Sequence, residues 1–141
     1  MNITVDSSVF LSSLLETDVF RKESRAFFTA LTASEDVTIT EPITVLFEVA
    51  NILTRAGERN ISPILDSFLQ FHILPLDEAM IREILFISSK VRLKTADALV
   101  VWAAYASEST LITWDKTLLR EARHLVPAFT PPDFIKSIFS R

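Results

Sequence analysis

Hydrophobic and polar positions change their period repeatedly along the chain. Residues 2–6 alternate and are β-branched, which predicts a short buried strand. Residues 8–15 read as a helix directly behind it, and apolar positions at Val19, Phe20, Phe27, Ala30 and Leu31 give helical spacing over 18–33. Val37–Thr40 predicts a second strand. Pro42 suits the first turn of a helix running to about Arg55, with Gly57 as its stop. A short helix over 61–70 and a third strand over 71–76 follow. Asp77 is placed to cap a helix over 78–91 with Met80, Ile81, Ile84, Leu85 and Ile87 inward, and Thr95 to cap an apolar helix over 96–107. A fourth strand over 110–113, a helix over 116–124 and a short strand over 127–129 complete the pattern, with Pro131-Pro132 ending it.

Strands alternating with helices predict an α/β fold. The expectation is one three-layer α/β/α domain over residues 1–141, with a central, mainly parallel sheet of four to five strands. In such sheets ligands bind beyond the carboxyl ends of the strands, so the residues just after each strand matter most.

Composition narrows the chemistry. With 141 residues, 49 % apolar and 23 % charged, the chain is globular and long enough for a core. The absence of cysteine excludes disulfides, thiolate zinc sites and a cysteine nucleophile. The single glycine, Gly57, removes the Gly-rich phosphate loops. No run resembles a signal peptide or a membrane span, so a cytoplasmic protein with no membrane association is expected. A net charge of −4 argues against nonspecific coating of DNA but leaves room for a local basic rim.

Four acids stand out. Asp6 ends the first strand, and Asp115 follows the fourth after Trp114, so parallel strands carry both to one sheet edge. Each also suits a helix N-cap. Glu48 is the only charge in Ile43–Leu53, on a stripe with Thr44, Asn51 and Arg55 that lines a site or faces solvent. Asp97 is the only charge between Thr95 and Ser107, among Val100, Val101 and Ala104. Such a carboxylate needs a partner, a metal or the positive end of the helix dipole. Four converging carboxylates would repel one another and raise their pKa values, and a hard divalent cation, Mg²⁺ or Mn²⁺, relieves that. His72 and His124 lie away from the strand ends and read as ordinary partly exposed residues.

Ile3-Thr4-Val5-Asp6-Ser7-Ser8-Val9, Phe47-Glu48-Val49-Ala50, Lys94-Thr95-Ala96-Asp97-Ala98-Leu99 and Leu111-Ile112-Thr113-Trp114-Asp115 occur in that order. With the ending Thr130-Pro131-Pro132-Asp133-Phe134, they resemble PIN domains, most closely the VapC-like toxins of bacterial and archaeal toxin–antitoxin pairs. The resemblance spans nearly the whole chain. It implies a Mg²⁺- or Mn²⁺-dependent endoribonuclease that leaves a 5′-phosphate and a 3′-hydroxyl. Asp6, Glu48 and Asp97 would be its core metal ligands, Asp115 the fourth catalytic acid, and Ser7 and Thr113 supporting polar groups. It also implies a homodimer and an inhibitory antitoxin lying along an apolar groove. Near absence of glycine and the bulky Trp114 beside the fourth acid depart from the family pattern, and Trp114 either narrows the pocket or offers a stacking face.

A bound metal supplies a nucleophile at neutral pH and charge relief on the phosphate, chemistry that does not itself choose RNA over DNA. Lys90, Arg92 and Lys94 before Asp97, with Lys116 and Arg120 after Asp115, are candidates for a phosphate-contacting rim, or an ordinary solvated charge set. Eleven phenylalanines, with Val9, Phe10, Leu14, Leu15, Phe20, Phe27 and Phe28 crowded early, leave apolar surface for a partner. The alternative function is a catalytically inactive RNA- or protein-binding module of the same fold. A receiver-type signalling domain or an aspartate-nucleophile phosphatase ranks lower. Asp6 is followed by Ser7-Ser8 instead of a second acid, and the third strand runs into Pro75-Leu76.

Overall fold

The computed structural model describes residues 1–34 and 36–139; residue 35 and the last two residues of the expected domain lie outside it. Five parallel strands form one sheet: β1 (Asn2–Val5), β2 (Thr38–Pro42), β3 (His72–Leu74), β4 (Thr110–Ile112) and β5 (Ala128–Phe129). Their order is β3-β2-β1-β4-β5. From β1 the chain steps outward twice on one side, then returns across to β4 and β5 on the other. Right-handed crossovers therefore put helices on both faces. The reversal falls between β1 and β4, which makes their shared carboxyl edge the topological switch point.

The helices are α1 (Ser7–Leu14), α2 (Arg21–Thr32), α3 (Ile43–Arg55), α4 (Ser62–Phe68), α5 (Ile81–Lys90), α6 (Thr95–Ala106), α7 (Lys116–Ala122) and α8 (Pro131–Phe139). Ala98 through Ala104 of α6 are all buried, as an all-apolar helix requires. That helix packs across β1, β2 and β4 and against α3 and α5. Trp102 is fully buried within it, and its indole N–H donates to Glu83 of α5 at 3.1 Å. The core joins Ile3, Val5, Val9, Val45, Val49, Leu111 and Ile112 to this helix.

Gly57 stops α3 as its place in the sequence suggests. At φ +92° it lets its own N–H reach Thr54 O (3.1 Å) and the Glu58 N–H reach Leu53 O (3.0 Å). The same closure ends α6 with a non-glycine residue. Glu108 sits at φ +51°, with Ser109 N–H donating to Ala104 O at 2.8 Å.

Several local expectations change. Asp77 precedes a 3₁₀ turn over Glu78–Met80 and makes no side-chain cap. Lys94 occupies the cap position of α6, so Thr95 is already helical. Ile87 is buried and Met80 and Ile84 pack against the core as expected, but Ile81 and Leu85 are 51 % and 63 % exposed and face outward. Pro131-Pro132 ends β5 but also begins α8, because proline's fixed φ suits a first turn. Thr130 and Asp133 close that turn reciprocally, the hydroxyl donating to Asp133 Oδ2 at 2.8 Å and accepting the Asp133 N–H at 3.4 Å.

Candidate active site

Asp6 follows β1 and Asp115 follows β4, with Val5 paired to Ile112. The Asp6 N–H donates to Ile112 O at 2.9 Å, continuing the ladder by one bond and fixing Asp6 beside Thr113. Thr113 is fully buried. Its hydroxyl donates to Asp6 Oδ2 at 2.9 Å and accepts the Asp115 N–H at 3.0 Å. One side chain thus ties the two strand-end acids together.

Ser8 completes the cluster. Its N–H reaches Asp6 Oδ2 at 3.4 Å, its hydroxyl lies 3.4 Å from Thr113 Oγ1, and it accepts the Trp114 N–H at 3.2 Å. Among the described residues this hydroxyl, not that of Ser7, joins the network; Ser7 is buried in the first turn of α1.

Both strand-end acids are also caps. Asp6 caps α1 through the Ser8 N–H, and Asp115 Oδ1 accepts from Thr117 N–H (2.8 Å) and Leu118 N–H (2.9 Å) at the start of α7. Asp115 is exposed, which leaves its second oxygen accessible.

Asp97 and Glu48 come from helices. Asp97 stands in the first turn of α6, half-buried, with Lys94 Nζ 4.0 Å from its Oδ2. Its carboxyl is pushed up to about 6, first by burial; Lys94 opposes this, while the charges of Asp6, Asp115 and Glu48 reinforce it. Asp97 therefore lies within reach of the charges of the other three acids. Asp6 is raised as well, chiefly by burial and slightly by Asp115, against hydrogen bonds from Ser8 and Thr113. On α3 the stripe divides: Thr44 and Glu48 are half-buried, while Asn51 and Arg55 are exposed. Thr44 Oγ1 is buried without a hydrogen-bond partner among the described residues.

Oxygen-only donors and surplus negative charge suit a hard divalent cation in chemistry and in sign. Yet among the described residues no three acid or histidine side chains are gathered closely enough to hold one. The side chains answer instead to protein partners: Thr113 for Asp6, the α7 amides for Asp115, Lys94 for Asp97.

A PIN domain family model matches residues 3–124. The chain belongs to the PIN domain family. No curated protein matches it in sequence. Solved structures do match in fold. The Rickettsia felis VapBC2 structure bound to a promoter DNA fragment gives a TM-score of 0.70 at 14 % identity, covering 92 % of this chain and 98 % of that one. FitAcB of Neisseria gonorrhoeae gives 0.62 at 20 % identity, covering 93 % and 98 %. Mycobacterium tuberculosis VapC20, a sarcin–ricin loop cleaving toxin, gives 0.67 at 12 % identity, covering 82 % and 92 %.

At the PIN sheet edge Thr113 joins Asp6 and Asp115, Asp97 and Glu48 stand on the neighbouring helices, and the expected basic rim divides. Lys94 meets Asp97. Lys116 is exposed in the first turn of α7. Arg120 pairs with Glu121 at 3.3 Å, the Arg92 N–H donates to the same carboxylate, and Lys90 lies over Phe86. Both histidines are exposed.

Sequence reasoning missed Glu41. It is fully buried in β2, its Oε1 accepts the Val5 N–H at 2.6 Å, and its Oε2 has no partner among the described residues. Burial holds this carboxyl well above its ordinary value. An acid at the carboxyl end of a predicted strand was the available signal, and reading that strand as ending at Thr40 hid it.

Proposed function

We propose that the chain is a metal-dependent endoribonuclease, the toxin of a VapBC-type toxin–antitoxin pair, acting in the cytoplasm. The observation that carries this reading is the pair of strand-end acids, Asp6 and Asp115, tied together by Thr113 at the switch point of a PIN sheet. Asp6, Glu48 and Asp97 would hold Mg²⁺ or Mn²⁺, with Asp115 as the fourth acid. The ion would supply Lewis-acid activation of water and charge neutralisation at the scissile phosphate. The chain's own contribution is orientation. Thr113 and Ser8 fix the Asp6 carboxylate, the α7 amides fix Asp115, and the apolar wall of α6 withholds water from one side of Asp97. Lys94, Lys116 and Arg120 would meet phosphates, Lys94 and Arg120 exchanging their pairing with Asp97 and Glu121 for them.

Two surfaces support the expected protein partners. A groove of about 360 Å³ between α1, α2 and α4 is lined by Phe10, Leu14, Phe28, Ile64 and Phe68, with Arg25 at its rim; an amphipathic antitoxin segment suits it. The exposed Ile81, Leu85 and Phe86 of α5, with Phe47 and Tyr105, suit a homodimer face. Among the described residues no helix is long and apolar enough to cross a membrane.

The engagement of the acids by protein partners is what favours the second reading, a catalytically inactive binding module. Incubating the partner-free protein with a structured-RNA pool in Mg²⁺, Mn²⁺ or EDTA decides between them. Cleavage is expected only with metal, and at least about 100-fold less in Asp6→Asn and Asp97→Asn. No cleavage, with no calorimetric Mn²⁺ binding, would leave the binding module.

A further inference from the structure

A paired aromatic step stands against the acidic cluster. The rings of Phe20 and Trp114 stack with centroids 4.1 Å apart and planes within 10°. Trp114 is the residue between Thr113 and Asp115, so the step begins one residue from both. The indole cannot swing freely. Its Nε1–H donates to Ser24 Oγ at 2.8 Å, and Ser24 is itself bonded to Ser12 in the buried seam of α1 and α2. The Phe20 backbone is fixed as well: its N–H donates to Asp18 Oδ1 at 2.8 Å, and its carbonyl accepts the Ser24 N–H at 2.9 Å. With one face stacked on the indole, Phe20 is still 40 % exposed.

On either side of Phe20 in sequence, Asp18, Val19, Arg21, Lys22 and Arg25 border a shallow depression of about 440 Å³. Arg21 Nε is buried without a hydrogen-bond partner among the described residues. A flat exposed ring, a rigid backing ring and a row of cations are the parts with which proteins hold single-stranded nucleic acid: bases stack, and phosphates meet Lys and Arg.

We propose that Phe20, backed by Trp114, is a stacking subsite for an unpaired nucleobase next to the scissile phosphate, with Arg21, Lys22 and Arg25 receiving the adjoining phosphates. This rests on the nuclease reading and assigns it a substrate-positioning element. The pair reads no base identity, because every base offers a π-face. It selects for unpaired strands, and target sequence must then be set elsewhere.

The test uses fluorescence anisotropy in EDTA, so that binding is separated from cleavage. Two short RNA oligonucleotides carry the same phosphates; one has bases throughout, the other is abasic at its central positions. Wild type is expected to bind the complete strand about tenfold more tightly than the abasic one, the worth of a single stack. Phe20→Ala should bind both alike, at the abasic level, while Phe20→Tyr keeps the preference. Far-UV circular dichroism and Tm of each variant report folding. A Phe20→Ala protein that is folded and still prefers the complete strand overturns the proposal and leaves Phe20 to a protein partner. An equal loss on both oligonucleotides also overturns it, since the ring then only shapes the loop. Wild type that cleaves RNA with metal but shows no base preference removes the subsite and spares the nuclease; wild type that neither binds nor cleaves removes both.

Discussion

Glu41→Gln should convert a pH-dependent stability into a flatter one. The buried Glu41 carboxyl has a folded-state value well above its ordinary 4.5, with burial as the leading cause and the Val5 N–H as a weaker opposing one. A carboxyl raised in the folded state contributes stability that is fully present below about pH 4.5 and is lost as the pH climbs toward the raised value, because the unfolded chain ionises first. Linkage fixes the slope. The cost per pH unit is about half the limiting value near pH 4.5 and approaches that limit, about 1.4 kcal/mol, once the unfolded group is ionised and the folded one is not. For a domain of this size that is a fall of roughly 4 °C in Tm per pH unit. Glutamine keeps a carbonyl for the Val5 N–H and cannot titrate. Its amide N–H₂ replaces the unpartnered Oε2, a constant penalty of about 1–3 kcal/mol. Calorimetric melts of both proteins in EDTA from pH 5 to 7.5 separate the two effects: the penalty sets the offset, and titration sets the slope of the difference. The titration of Asp6 is common to both proteins and largely cancels. A difference curve flat across this range would refute a buried, protonated Glu41.

Three further outcomes follow from the same geometry. Asp115→Ala should lower stability by about 1 kcal/mol through loss of the α7 cap, whereas Asp115→Asn should hold Tm; if the charge matters, both lose RNA cleavage. Thr113→Val should cost about 1–3 kcal/mol and most of the cleavage rate, because Asp6 Oδ2 and the Asp115 N–H lose their shared partner, and Thr113→Ser should recover both in melts and single-turnover assays. Glu108→Gly should raise stability by about 1 kcal/mol in urea titration, since the residue ends α6 in a left-handed conformation that penalises a side chain.

What the sequence could disclose follows from what each signal measures. Period changes located every strand, because a 2-residue and a 3.6-residue repeat differ over even short windows. The four acids stood out as strand-end residues or lone charges in apolar runs. Periodicity names an apolar face but not what that face meets, so Ile81 and Leu85 of α5 read as core when they point outward. Nor could it tell Ser7 from Ser8, neighbours about 100° apart around α1, only one of which reaches Thr113.

Glu41 is the instructive miss, because its role comes from the sheet and not from its neighbours in sequence. β1 pairs with β2 only at Asn2↔Thr38 and Ile3↔Ile39, while β2 goes on to pair with β3 from Thr40 to Pro42. Beyond Ile39 the two central strands therefore part, on the flank of β1 opposite Thr113. Parting leaves the Val5 N–H without a backbone carbonyl in a place water does not reach, and an unpaired buried N–H is costly. Thr4 bridges the gap once, its hydroxyl donating to Thr40 O at 2.9 Å, and the Glu41 carboxyl spans it again at Val5. The buried acid is how this chain closes the ladder one residue before Asp6. A strand pattern read residue by residue contains no information about where its neighbour departs, and so the acid that substitutes for a missing ladder bond is visible only once both strands are in place.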